Sequence, residues 1–271
     1  MSDSIFPNDI LALLVTFVYV FVVIGLGMIL KRRSGSKKSD ISRKIVHMGA
    51  GNAILTWPLY QHAWAVSIAP WVLAIFVLLL TPKSRVKPFR DMFDSMARDM
   101  DRKKGHIIGP LLYIISIATL VSAFGYGSYY PYFFIGAIGI EIMIWGDGLA
   151  CLMGKRFGSS SQYEVMGCTR SVVGSVTLFV FGFLASLATM FYFNSIVPII
   201  RPDYVSPGLS VLLMFEIALI AAFTATIIEA ITPFGIDNIT VPMLTTLVIF
   251  IILVQIGVVV PIAWQWFVQG L

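Results

Sequence analysis

The feature that most constrains this chain is its recurrence of apolar runs about as long as the ~20 residues a helix needs to cross a bilayer core. Read with a window of about 19 residues, eight segments stand out, near 9–30, 44–60, 63–81, 107–124, 131–152, 172–193, 209–230 and 240–265. Backbone amides find no water in lipid, so such spans must be helices that bond internally. The composition agrees: 58% of 271 residues are hydrophobic, 12% are charged and the mean hydropathy is +0.89, which is outside the range of soluble domains. The expected fold is all-α, a polytopic integral membrane helix bundle of about eight transmembrane helices, with residues 1–271 as a single membrane domain. The first run is too long for a signal-peptide core and is expected to be a retained span.

Charge placement then orients the bundle. With eight spans, three connections on one face carry 18 of the 19 Lys and Arg residues: seven between Lys31 and Lys44, eight between Lys83 and Lys104, then Lys155, Arg156 and Arg170. Arg201 alone falls opposite. Positive charge marks the cytoplasmic side, so both termini are expected outside. The net charge of +5 is a topology signal, and nothing else in the sequence speaks for nucleic acid. Cys151 and Cys168 give no disulfide framework and are expected to be reduced. Near 86–104, Phe89, Met92, Phe93, Met96 and Met100 recur at helical spacing among charged residues, and Gly105 follows as a left-handed cap. This predicts an amphipathic interfacial helix, either a loop anchor on anionic lipid or a lid over a lipid-binding cleft.

Four polar sets are sent to that same basic face. Asp147 ends the fifth run, where a lone carboxylate is costly without a partner; the partner is a cation such as Lys155 or Arg156, or a metal. Beyond it Ala150, Gly154 and Gly158 recur every four residues, which suits helix packing or close approach of backbone to phosphate. Arg43, Lys44 and His47 share one face at the start of the second span, where cations at a helix start suit an anion. "GCTRSVVGS" (167–175) gathers Thr169, Arg170, Ser171, Gly174 and Ser175, read as a phosphate-contacting turn or as a plain turn with a helix cap. "IEAITPFGIDNITVP" (228–242) brings Glu229, Asp237, Asn238 and Thr240. Asp147, Glu229 and Asp237 are oxygen donors suited to Mg²⁺, which commonly takes one or two carboxylates and completes its shell with phosphate and water. Glu141 and Glu216 lie elsewhere, and their role is open.

These residues resemble a known family. "DGLACLMGKRFG" fits the D-x-x-A-x-x-x-G-x-x-x-G pattern of the CTP-dependent lipid alcohol kinases, which include polyprenol and dolichol kinases, phytol kinases and the yeast-type diacylglycerol kinase. "RKIVH", "GPLLY" (109–113) and "GIDNITVP" resemble further segments of that family, in the same order, over about residues 40–245. One segment departs: where the family often has K-K-T-x-E-G the chain reads "TRSVVG", with Val173 in place of the glutamate.

The resemblance implies phosphoryl transfer from CTP to the terminal hydroxyl of a membrane lipid alcohol, of the polyprenol, dolichol or related isoprenoid type, at the cytoplasmic leaflet. Such chemistry asks for positioning and charge neutralisation more than covalent catalysis. The expected catalytic residues are Asp147, His47, Arg43, Lys44 and Glu229, with Mg²⁺ on Asp147, Asp237 and Glu229. Nucleotide contacts are expected from Gly154, Lys155, Arg156, Gly158, Thr169, Arg170, Ser171, Gly174, Asn238 and Thr240. A phosphatidate cytidylyltransferase is the alternative of the same class. A transporter is the rival of a different class, disfavoured because transporter sites sit near the midplane of repeated folds whereas these polar sets collect at one end.

Overall fold

The computed structural model describes residues 8–34, 39–62, 64–97, 105, 107–125, 131–233 and 235–260, and it is almost wholly helical. In chain order the helices are α1 (Asn8–Ser34), α2 (Ser39–Gly51) continuing as a 3₁₀ stretch (Asn52–Leu59), α3 (Ala65–Leu79), α4 (Lys87–Met96) and α5 (Ile108–Phe124). Next come α6 (Phe133–Glu141), a π turn (Ile142–Asp147) and α7 (Gly148–Phe157), which together make one continuous helical rod. A hairpin of β1 (Gln162–Val165) and β2 (Cys168–Ser171) leads into α8 (Val172–Phe191), which a π turn (Tyr192–Ile196) joins to α9 (Val197–Ile200). The chain closes with α10 (Val211–Ile231) and α11 (Asp237–Gln255).

Five of these stretches are long and apolar enough to cross a membrane: Asn8–Arg33, Phe133–Phe157, Val172–Ile200, Val211–Ile231 and Asp237–Gln255. The other three expected spans are shorter or broken. Pro58 brings no N–H, and the second segment tightens into its 3₁₀ stretch around that proline. Ala65–Leu79 has 15 residues and Ile108–Phe124 has 17. The latter begins "IGP", with proline in the first turn, where its missing N–H costs nothing. The two-stranded hairpin departs from the all-α expectation. The termini, on which the expected outward orientation rests, lie outside the described residues, as does the 98–104 end of the expected interfacial helix.

The amphipathic helix exists, but its apolar face is covered by protein. Phe93 and Met96 are buried with Val20, Ile24, Val46 and Leu73 of α1, α2 and α3, and Phe89 and Met92 pack against that group. Its polar side is tied to the end of α1: Lys31 donates to the Asp94 carbonyl, and Arg32 pairs with Asp91 at 2.7 Å. At the far end of the same helix, Asp9 accepts from the backbone N–H groups of Gln61 and His62 and bonds His62 Nδ1 at 2.5 Å. Arg201 reaches that far end as well, donating to the Tyr60 and Gln61 carbonyls and sitting 5.5 Å over the Trp57 ring. Arg201 is thus held at the opposite end from Lys31 and Arg32, as the charge pattern expects.

The α6–α7 rod is the axis of the bundle. Every residue from Phe133 to Ile144 is buried, enclosed by α5, α8 and α11. Trp57 stacks on Phe133 with ring centroids 4.9 Å apart, which anchors the 3₁₀ stretch to this axis. Gly139 lets α11 approach so closely that a methyl there would strike Thr246 and the Pro242 carbonyl. This rod carries Asp147 out of the core toward the basic end.

Candidate active site

Asp147 closes the π turn, the i+5 bonded arrangement that often marks functional positions in helices. Its Oδ2 accepts a 2.6 Å bond from Lys44 Nζ, and its own carbonyl lies 3.3 Å from the same ammonium. The lysine is therefore a direct cation partner in addition to the expected candidates, Lys155 and Arg156, which are exposed in the last turn of α7. Only 5% of the Lys44 side chain and 19% of that of Asp147 reach the surface, so this is a largely desolvated pair. His47, one turn beyond Arg43 on α2, places Nε2 3.7 Å from Asp147 Oδ2 and 3.2 Å from the Met143 carbonyl. A carbonyl only accepts, so Nε2 carries the hydrogen and Nδ1 is the basic nitrogen. Tyr113 fixes the other side, its ring centroid 4.1 Å from the imidazole and its hydroxyl donating to the His47 carbonyl at 2.6 Å.

A second ion pair stands beside the first. Arg170, on β2, puts Nε 3.1 Å from Glu229 Oε1 and donates to the carbonyls of Glu229 and Thr232. These carbonyls lie at the end of α10; that of Glu229 also accepts from the Thr232 backbone N–H at 3.3 Å, and the guanidinium satisfies what capacity remains. Glu229 lies within electrostatic reach of Asp147, Asp237 and Lys44, so the two pairs belong to one polar region. Asp237 begins α11 and accepts from the Asn238 backbone N–H through Oδ1. Asn238 is buried, donating to the Gly109 carbonyl and accepting from Ser116 Oγ on its own carbonyl, which locks α11 to α5. Thr240 shares a 3.0 Å bond with Thr232. Thus all four polar stretches of the sequence meet.

Some expected contacts have a different occupation. Gly154, Gly158 and Gly174 face Ser171 and, in part, one another, so the small-residue stripe is filled by the start of α8. Ser171 accepts from the Gly174 N–H at 3.1 Å and caps that helix. Thr169 is exposed on β2. The three-carboxylate metal set is not assembled: among the described residues no three Asp, Glu, His or Cys side chains form a metal-holding group. Asp147 and Glu229 are engaged with cations and Asp237 with backbone. A divalent ion that arrives with its own phosphates still fits this donor set, because it needs only one or two protein carboxylates.

The polar cluster opens onto a long apolar cavity between α1, α2, α3 and α5. Arg43, Lys44, His47, Tyr113, Pro110 and Asn238 line one end. The walls continue through Leu73, Ala69, Ile117 and Val121 to Thr16, Thr56 and Tyr60. Sequence reasoning did not single out Tyr113 as a site residue, although it ends the quoted "GPLLY" segment and stands four positions after Gly109. The cavity has no sequence signal, since its walls read like any span.

Comparisons with known proteins add an independent line. The chain is 33% identical to a phytol kinase of Synechocystis over 233 residues, covering 85% of this chain and 86% of that protein. It is 30% identical to the chloroplastic phytol kinase 1 of Arabidopsis thaliana, covering 79% and 67%, and 31% identical to the chloroplastic farnesol kinase of the same plant, covering 90% and 76%. No family model matches the chain, and no solved structure does. A desolvated Lys–Asp–His cluster at the head of an apolar cavity, in a chain this similar along most of its length to kinases of isoprenoid alcohols, leads to one conclusion: the protein belongs to the lipid alcohol kinase family of the phytol and farnesol kinases.

Proposed function

We propose that the protein transfers the γ-phosphoryl group of CTP to the hydroxyl of an isoprenoid alcohol, at the cytoplasmic leaflet. The observation that carries this reading is the placement of Lys44, His47 and Asp147 where the apolar cavity meets the basic end of the bundle. An alcohol lying in the cavity has its tail in hydrocarbon surroundings and its hydroxyl beside His47. The names of the relatives favour phytol or farnesol over polyprenol and dolichol.

His47 Nδ1 takes the hydroxyl proton as the alcohol oxygen attacks the γ-phosphorus, and CDP leaves with the bridging oxygen. Lys44 and Arg43 neutralise the phosphate oxygens, which is the main demand of a loose phosphoryl-transfer transition state. Lys155, Arg156 and Thr169, exposed around the hairpin, meet the nucleotide from the water side. Arg170 orients Glu229 and the end of α10. Mg²⁺ would be held by Asp147 with Asp237 and would supply charge neutralisation to the phosphates.

The test is purified protein in lipid with γ-labelled CTP and a panel of phytol, farnesol, a long polyprenol and diacylglycerol. Label on phytol or farnesol with release of CDP is expected. With phosphatidate as a further acceptor, labelled pyrophosphate together with cytidylate on the lipid phosphate would replace this reading with the cytidylyltransferase one.

A further inference from the structure

The cavity runs along α3 and α5 and carries a polar trio at the end away from the cations. Its lining runs from Val66 to Val77 on α3 and from Pro110 to Val121 on α5. Each is eleven residue steps, about 17 Å at the helical rise. The head of the cavity carries the cations and His47. At the other end Thr16, Thr56 and Tyr60 form a hydrogen-bonded cluster: Thr16 Oγ1 lies 2.9 Å from Thr56 Oγ1 and 2.8 Å from the Tyr60 hydroxyl. The Tyr60 hydroxyl donates to Thr16, which passes its own hydrogen to the Ala12 carbonyl, and the single hydrogen of Thr56 is shared between Thr16 Oγ1 and the Ala53 carbonyl. Tyr60 is 2% exposed, so the phenol ring plugs the end, and its hydroxyl is held by a partner on another helix.

We propose that Thr16, Thr56 and Tyr60 are the specificity-determining floor of the acceptor site, limiting the alcohol to between about three and four isoprene units. This deepens the kinase reading above and rests on it. An extended chain advances about 3.6 Å per three bonds, so ~17 Å takes roughly fourteen main-chain bonds, and each isoprene unit contributes about four. A longer alcohol either leaves its hydroxyl short of His47 or must displace the tyrosine. The hydrogens of the floor hydroxyls are engaged with one another and with backbone carbonyls, so a second polar group at the tail end of an acceptor would enter apolar surroundings without a dedicated donor, at a desolvation cost.

Prenyl alcohols of two, three, four and nine isoprene units provide the length series. Wild type should peak at three or four and reject nine. Ala69, 2% exposed on the cavity wall, stands about two thirds of the way down; Ala69→Phe should lower the ratio of kcat/KM for the four-unit over the two-unit alcohol by at least about tenfold. Tyr60→Ala should extend acceptance to longer chains. An unchanged length profile in both active variants overturns the proposal. Because Tyr60→Ala removes a buried ring and threatens folding, wild type is also irradiated with a four-unit alcohol bearing a diazirine at its tail. Label on Thr16, Tyr60, Val66 or Val121 supports the floor, while label confined to outward-facing residues such as Leu14 or Ile75 overturns it. If wild type phosphorylates none of the alcohols yet the label reaches the floor, the length limit on binding stands and the kinase reading falls.

Discussion

Lys44 and Asp147 cannot be altered singly without leaving a charge behind. With 5% and 19% of their side chains exposed, each relies on the other across 2.6 Å, and truncating one partner of such a buried pair typically costs ~3–5 kcal/mol. Lys44→Met alone and Asp147→Leu alone should therefore lower the thermal unfolding temperature in detergent. The double variant Lys44→Met/Asp147→Leu should recover most of that loss, since apolar replacements of similar volume are often neutral. Phosphorylation should be abolished in all three. Full activity in the stable double variant would show that the pair is structural and that the transferring group is held elsewhere. His47 offers a softer test at the same scale: His47→Gln keeps a hydrogen bond to the Met143 carbonyl but removes the basic nitrogen, so kcat should fall by about 10²–10⁴ with little change in the KM for CTP.

Among the elements, the hairpin is the one that sequence patterning hid. Its strands pair Gln162 with Ser171 and Val165 with Cys168 around a two-residue turn, whose central residues, Met166 and Gly167, have φ of 51° and 76°. Positive φ at both positions is the demand of a I′ turn, usually announced by Asn-Gly or Asp-Gly. Here methionine occupies the first position, so the usual signal was missing, and only Gly167 marked the turn. A non-glycine side chain in the left-handed region costs ~1–2 kcal/mol, less for Asn. Met166→Asn should accordingly raise hairpin stability by up to ~1 kcal/mol, read as slower amide exchange across Tyr163 to Arg170. The longer helices were legible because length and apolar run carry them. Their interruptions were not: the π turn that presents Asp147 continues a rod buried from Phe133 to Ile144, with Trp145 38% exposed, and no residue in "IMIWGD" encodes it by propensity. The stripe of Phe89, Met92, Phe93, Met96 and Met100 predicts a helix over 86–104, of which Lys87–Met96 is helical and Ala97 is already extended, and periodicity tells that a face is buried without telling whether lipid or protein buries it.

At the scale of the molecule, charge asymmetry carried the most information. It sends Arg43, Lys44, Asp147, Arg170, Glu229 and Asp237 to one end, and the helices gather them there. By sequence Lys44 groups with the phosphate-binding cations, and nothing in its spacing announces that it pairs with Asp147, 103 residues away. The same asymmetry makes a claim about the membrane that can be tested from outside the cell. Met166 on the hairpin and Val205 in the connection after α9 are 76% and 73% exposed at opposite ends of the bundle. In a background with Cys151 and Cys168 replaced by Ala, Met166→Cys should react with a membrane-impermeant maleimide only after permeabilisation, whereas Val205→Cys should react in intact cells. The physical reason is that some eighteen cations cannot be translocated cheaply across a membrane potential that opposes them, while Arg201 alone can. Labelling in the reverse pattern would put the polar cluster on the face where cytosolic nucleotide is absent, and the CTP reading would have to be given up.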